Sequence, residues 1–345
     1  MSTPSVGRPG AAKPLELTTE ATAAHVLVEL GVVPPGTPAQ ARALSGGISN
    51  VVLAVGWRGG RAVLKQSLPK LRVAAEWPFD RARIVNERRC MEYLASILPA
   101  GSVPDVLAHD DDRFLFVMSH APDGAVNWKD ALLAGTVDLV TAERAGRLLG
   151  LIHGRSARDP GVAARFADQW PLVQGRVDPY HRTAAPVNPA VAALVEAEAE
   201  RMLATRRALV LGDWSPKNLL AYPDRVLALD FEVAHWGDPA FDVAFLLTHL
   251  VLKAVRRAAD AGALRAAADA FLAAYADAAG PVAPPDEHVT AELGCLLLAR
   301  VDGKSVIEYL PGDEQRRVVR TLAYDLLRSS GDRALAPTLD HAFAR

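Results

Sequence analysis

Two hydrophobic periods alternate along this chain. From Ala41 to Ser67, in ARALSGGISNVVLAVGWRGGRAVLKQS, apolar and β-branched residues flank two glycine turns, a pattern that predicts three strands. Pro104–His109 and Phe114–Ser119 add two more around the turn Asp110-Asp111-Asp112, which makes a five-stranded unit. Elsewhere the spacing is helical. Thr18 or Thr19 can cap a helix running to Leu30, with Glu20 in its first turn and Gly31 at its end. Ile84, Glu87, Met91, Leu94 and Leu98 recur at steps of three and four, and Ala145, Leu148, Leu149 and Ile152 do the same within Ala142–His153. Gly154–Pro189 is rich in Pro, Gly and Arg, has little periodicity and reads as a long connection. Pro189–Arg207 is helical again. Apolar runs at Ala208–Leu211 and Leu219–Ala221 are followed by a turn at Tyr222–Arg225, a strand-like run at Val226–Leu229 and helices over Phe241–Val255, Ala258–Ala279 and Glu314–Leu327. The class is α+β, with a small antiparallel sheet first and a mostly helical part after it.

One stretch concentrates the chemistry. Within VLGDWSPKNLLAYPDRVLALDFEVAHWGDPAFD (Val210–Asp242), Asp213, Asn218, Asp230 and Glu232 fall within about one hairpin of each other. Phosphoryl transfer needs a carboxylate to orient the attacking hydroxyl and hard oxygen ligands to hold Mg2+ against a nucleotide. The spacing D-x4-N followed by D-x-E supplies both. The plainer alternative is a hairpin whose Asp and Asn are turn formers, which accounts well for Asp224. Upstream, Lys65 ends the strand-like run Ala62-Val63-Leu64, and Glu87 lies on an apolar helical stripe, where a carboxylate needs a partner.

Composition narrows the partners. A chain of 345 residues with 50% hydrophobic residues can bury a large core, and its length fits two lobes. A formal net charge of -2 with intermixed Lys and Arg argues against a nucleic-acid binder and for a small-molecule partner. Cys90 and Cys295 sit in apolar helical contexts without metal-ligand spacing, as free thiols of a reducing cytoplasm would. Residues 1–14 read as a disordered tail, lacking the apolar run of a signal peptide. The longest apolar stretch, Phe241–Leu252, is interrupted by Asp242, Thr248 and His249 and offers no membrane span.

The motif G-D-x4-N, followed by a strand and L-D-F-E, resembles the catalytic and metal motifs of the aminoglycoside phosphotransferase and methylthioribose kinase superfamily, small-molecule kinases with the two-lobed protein-kinase fold. The resemblance implies ATP and Mg2+ as cofactors and an alcohol acceptor. It makes Asp213 the catalytic base, Asn218 and Asp230 metal ligands, and Glu232 the last residue of a D-x-E motif. Lys217 would reach the transferring phosphoryl group. Ser45, Gly46, Gly47, Ser49 and Asn50 stand where the glycine-rich phosphate loop belongs. Lys65 would contact the α and β phosphates and be held by Glu87. The segment KQSLPKLRVAAEWPFDRAR between them is similar to the corresponding part of methylthioribose kinases. The implied layout is a nucleotide lobe over 15–118, a hinge over 119–124 and a catalytic and substrate lobe over 125–345, with Met118 and His120 beside the adenine. Asp242 is expected to brace the catalytic loop through backbone N–H groups, and Arg300 to face the acceptor. Leu211 stands where the superfamily usually has His, which keeps a non-catalytic nucleotide-binding regulator as an alternative. Ala299 and Arg300 stand where methylthioribose kinases carry an Arg pair, so a related kinase for a sugar-like or aminoglycoside-like alcohol is expected ahead of methylthioribose kinase proper.

Overall fold

The computed structural model describes residues 17–44, 48–72, 76–310, 312–329 and 334–344. Strands β1 (Ala39–Ala43), β2 (Asn50–Trp57), β3 (Gly60–Ser67), β4 (Val106–Asp110) and β5 (Leu115–Ser119) form an antiparallel sheet in the order β1-β2-β3-β5-β4. These are the five strands that the alternation predicts. The β2–β3 hairpin sets Leu53 opposite Leu64, and Gly59 at its tip takes φ 112°, a conformation that a side chain would strain.

β3 is buried along most of its length because both faces of the sheet are covered. On one face, helix α1 (Glu20–Glu29) packs Ala23, Val26 and Leu27 onto Leu53, Val55, Leu64 and Val117. On the other, helix α2 (Arg83–Ile97) joins Met91 and Leu94 to Phe116 in the main core. Each wholly buried Leu or Val on these faces contributes about 1.5–3 kcal/mol. That fixes the register of β3 and with it the position of Lys65, which pairs with Val52 and Phe116.

After β5 come β6 (Val126–Asn127), α3 (Trp128–Leu133) and α4 (Leu139–Ser156), the last capped by Asp138, whose carboxylate accepts from the N–H groups of Val140 and Thr141. The stretch expected to be an irregular connection is instead mostly helical. It contains α5 (Pro160–Arg165), α6 (Trp170–Leu172), a π-helix over Val173–His181 and α7 (Arg182–Ala184). A π-helix bonds residue i to i+5, so its buried positions do not recur at 3.6, and the sequence pattern looks aperiodic. α8 (Ala192–Ala204) then brings the chain to four short strands, β7 (Ala208–Val210), β8 (Leu219–Ala221), β9 (Val226–Ala228) and β10 (His235–Gly237). β7 pairs with β10, and β8 lies between β6 and β9.

Helix α9 (Ala240–Arg256) is buried from Ala240 to Ala254 and is apolar there apart from Asp242, Thr248, His249 and Lys253. Around it pack α10 (Ala261–Ala279), α11 (Asp286–Asp302), α12 (Asp313–Ser329) and α13 (Leu335–Phe343). α4 meets α10 along a row of glycines. A Cβ on Gly146 would lie 2.1 Å from the Phe271 carbonyl oxygen, one on Gly150 2.6 Å from that of Tyr275, and one on Gly154 2.9 Å from that of Ala278. Only glycine at these three sites lets the two backbones come so close.

His235 on β10 links the core to pH. It is wholly buried, its Nδ1–H donates to the Val233 carbonyl at 2.9 Å, and its Nε2 has no partner. Burial pushes its pKa down to about 4, so the folded chain holds the ring neutral. The unfolded chain protonates it near 6.5, so the stabilising contribution is present above 6.5 and is lost as pH falls toward 4, by up to about 3 kcal/mol. Urea midpoints measured between about pH 7 and 5 should fall, and fall less steeply in His235→Phe. An identical slope in that variant would remove His235 as the cause.

Candidate active site

The segment after β7 turns sharply. Gly212 takes φ 75°, and a Cβ there would lie 2.5 Å from Val233. Asp242, wholly buried in the first turn of α9, accepts hydrogen bonds from the Leu211 N–H at 2.7 Å and the Gly212 N–H at 2.8 Å. The His153 Nε2 lies 3.2 Å from the same carboxylate, and its Nδ1 lies 2.9 Å from the Tyr275 hydroxyl. A tie between α4, α9 and α10 thus clamps the two residues that precede Asp213.

Asp213 is buried but not sealed. Its Oδ1 accepts from Ser215 Oγ at 3.1 Å, and its Oδ2 lies 2.9 Å from Lys217 Nζ and 3.1 Å from Arg176 Nη2. Burial would raise its pKa, but Lys217 and Arg176 outweigh that and hold the carboxyl down at about 2. Lys217 is half-exposed and screened by solvent, so Arg176, buried to 8% exposure, is the steadier partner. Arg176 also donates to the Gly212 and Gly175 carbonyls, both at 2.6 Å. Asn218 donates its Nδ2–H to the Asp213 carbonyl at 3.0 Å, which leaves its amide oxygen as the end able to act as a ligand.

The second carboxylate centre forms where α2, β3 and the 230–234 segment meet. Lys65 Nζ lies 2.7 Å from Glu87 and 2.7 Å from Asp230. Burial disfavours the ammonium, yet Asp230 and Glu87 push its pKa up, so Lys65 stays charged. Asp230 holds φ 69°, a left-handed backbone that is uncommon outside glycine and typical of sites where geometry is enforced. The Leu229 N–H donates to the Asn218 carbonyl at 2.9 Å, which ties this turn to the first one. Glu232 accepts from Asn50 Nδ2 at 2.9 Å and lies 3.4 Å from Arg83 Nε.

Oxygens of Glu87, Asp230 and Glu232 lie within 4.8 Å of one another, a spacing that can hold a cation. Lys65 takes one oxygen each of Glu87 and Asp230, and the set Asp230 Oδ2, Glu232 and the amide oxygen of Asn218 remains, all hard oxygen donors of the kind that suits Mg2+. Asn50 Oδ1 and Glu87 Oε2 beside it are buried without a hydrogen-bond partner. Among the described residues one further cluster has ligand-like spacing, His181, Glu292 and Cys295. It is wholly buried and already held together by the His181–Glu292 contact at 3.1 Å.

Two cavities meet at these centres. The outer one, of about 720 Å³, runs past Val63, Lys65, Met118, His120, Asn218 and Asp230. The inner one, of about 110 Å³, is walled by Trp77, Phe79, Tyr180, Asp213, Phe245 and Arg300. Ser49, Lys217 and Asp230 line both. Of the catalytic, metal, nucleotide and acceptor residues expected from the sequence, all but three therefore gather around one continuous space. Those three, Ser45, Gly46 and Gly47, lie outside the described residues. Arg176 and Arg83 were not singled out. Arg176 lies in the π-helical stretch with no readable period, whereas Arg83, four residues before Glu87 on α2, was open to a spacing argument.

Residues 40–293 match the sequence model of the phosphotransferase enzyme family. The chain belongs to that family. Curated relatives include methylthioribose kinase 2 of Oryza sativa subsp. japonica, 25% identical over 221 residues that cover 56% of this chain and 52% of the rice protein. Another is the methylthioribose kinase of Geobacillus sp. (strain WCH70), 34% identical over 116 residues, 33% of this chain and 28% of that one. The chain spans about half the length of the rice kinases it matches. Among solved structures, aminoglycoside phosphotransferase APH(4)-Ia superposes with a TM-score of 0.53 at 15% identity, covering 91% of this chain and 100% of that one. A choline/ethanolamine kinase family protein from Mesorhizobium loti superposes with a TM-score of 0.51 at 17% identity, covering 93% and 99%. This member of the phosphotransferase enzyme family therefore has the protein-kinase-like α+β fold. No helix among its described residues is long and apolar enough to cross a membrane.

Proposed function

We propose that this chain is an ATP- and Mg2+-dependent small-molecule kinase of the cytoplasm that transfers the γ-phosphoryl group to a hydroxyl of a sugar-like metabolite or an aminoglycoside-like compound. The observation that carries this reading is that the Asp213 and Asp230 carboxylates open onto one space, with Lys65 on Asp230 and a cleft leading outward past Met118. Family membership supports it, as does the likeness in fold to an APH(4)-Ia variant solved in ternary complex with AMP-PNP and hygromycin B, at a TM-score of 0.51.

On this reading the outer cleft takes the nucleotide, with the 119–124 backbone, Met118 and His120 along the adenine edge. Lys65, held by Glu87, meets the α and β phosphates, while Ser49, Asn50 and the Ser45-Gly46-Gly47 turn lie over the phosphates. A nucleotide cleft of about 720 Å³ lies in the range of roughly 300–1,000 Å³ usual for such pockets. Asn218, Asp230 and Glu232 would hold Mg2+, which when bound supplies charge neutralisation at the β and γ phosphates. Asp213 accepts a hydrogen bond from the acceptor hydroxyl. Held at about pKa 2, it is a weak base and takes the proton late, as the new O–P bond forms and the bond from the γ phosphorus to the β–γ bridging oxygen breaks. Lys217, beside Asp213, faces the transferring group.

The non-catalytic alternative rests on Leu211 alone. That side chain is buried in the core, and the two N–H bonds to Asp242 hold the loop without an imidazole. An ATP-consumption screen against sugar, nucleoside-derived and aminocyclitol alcohols tests the proposal, and failure to turn over any of them while nucleotide still binds would favour the regulator. Asp230→Ala should abolish the Mg2+ dependence of nucleotide binding in calorimetry. The same metal-assisted affinity in that variant would remove Asp230 as a ligand.

A further inference from the structure

The inner cavity is charged unevenly. Of its carboxylates, Asp213 already has two cations, Lys217 and Arg176, while Asp230 and Glu232 are matched by Lys65 and Arg83 on the nucleotide side. Arg300, in the last turn of α11, lines the same cavity and forms no ion pair with any carboxylate among the described residues. Its Nη1 donates to Ser305 Oγ at 2.8 Å and to the Tyr180 hydroxyl at 3.2 Å, and its Nε is buried without a partner.

Nearby basic groups are driven toward their neutral forms, as expected of buried groups beside an unpaired guanidinium. Lys253 is 3% exposed, forms no ion pair among the described residues, and has only the His249 carbonyl at 3.3 Å and the face of Tyr309 as partners. Burial, then Lys129 and Arg300, push its pKa down to about 7. His249, which lines the cavity, is pushed well below its ordinary value by burial and then by Lys253, Arg300 and Lys217. A part-buried guanidinium with no ion pair and an Nε without an acceptor is costly unless a ligand completes it.

Size and wall chemistry point the same way. At about 110 Å³ the inner cavity is small beside the roughly 300–1,000 Å³ of drug-sized pockets. A polycation entering it would meet Arg300, Arg176 and Lys217 at close range in a medium that screens poorly.

We propose that the acceptor is a small hydroxy compound bearing an anionic group, a carboxylate or a phosphate monoester, whose charge rests on Arg300 with Tyr180 and Ser305 while its hydroxyl faces Asp213. This rests on the kinase reading above and narrows its acceptor from sugar-like or aminoglycoside-like alcohols to anionic ones. The guanidinium supplies the paired donors that an anionic oxygen group accepts, and the aromatic walls hold the carbon skeleton.

Two titrations of the full chain test it. In the first, AMP-PNP binds the wild type with and without Mg2+; absence of metal-assisted binding sinks the kinase reading itself. In the second, the chain loaded with Mg2+ and AMP-PNP is titrated with matched three- to six-carbon series, each as the aldonic acid, the terminal phosphate ester, the neutral polyol and the amino sugar. A charge-assisted contact should make at least one anionic form about 10- to 100-fold tighter than its neutral parent. The two anionic arms tell carboxylate from phosphate. Arg300→Gln should erase that preference, and Arg300→Lys should restore part of it, with unfolding midpoints reporting that both variants fold. Equal or tighter binding of the neutral or amino forms, no saturable binding of any anionic form, or a preference that survives Arg300→Gln would overturn the proposal.

Discussion

Asp213→Asn is expected to lower turnover by about 100- to 10,000-fold while the chain stays folded and still binds nucleotide, since positioned general-base help is commonly worth that much. The substitution keeps the shape of the side chain and an oxygen for Ser215, but it removes the charge that Lys217 and Arg176 share at 2.9 and 3.1 Å. Two effects then act together. The amide cannot take the hydroxyl proton, and two cations lose their anion at the point where the proposed acceptor oxygen would approach. Steady-state ADP release, with whichever alcohol the screen yields, reads the loss. Turnover within a few-fold of the parent would refute Asp213 as the proton acceptor.

Asp242→Ala should cost stability, about 3–5 kcal/mol by urea denaturation, because it leaves the Leu211 and Gly212 N–H groups and His153 Nε2 without their shared acceptor in a site closed to water. Turnover should fall as well, since those bonds aim Asp213. Asp242→Asn keeps one acceptor oxygen and should cost less than the alanine change. A loss below about 1 kcal/mol for the alanine variant would show that the Leu211–Gly212 turn is held by its packing on Val233 instead.

Both expectations draw on features that differ in how far the sequence exposes them. Strands β1 to β5 were legible because each alternates or runs apolar between glycine or acidic turns, and α2 because its stripe repeats. The spacing of Asp213, Asn218, Asp230 and Glu232 was legible as a motif, and so was the need of Glu87 for a partner, which lies 2.7 Å away in Lys65. The 154–189 stretch was not, since a π-helical register hides the burial of Arg176 and Tyr180 from any search at 3.6 residues. Gly146, Gly150 and Gly154 gave no signal either, because the requirement for glycine there comes from the backbone of α10, more than a hundred residues later in the chain. The left-handed backbone of Asp230 is likewise a property of the turn it closes and not of the residue type.

That glycine row sets a rule for laboratory evolution of the substrate range. Helix α9, which presents Phe245 and His249 to the inner cavity, packs on α10, whose separation from α4 is fixed to within the width of one methyl group. Randomised libraries aimed at the pocket lining can therefore explore size and charge freely, whereas a single added carbon at position 146 would wedge the two helices apart and disturb the pocket wall from behind.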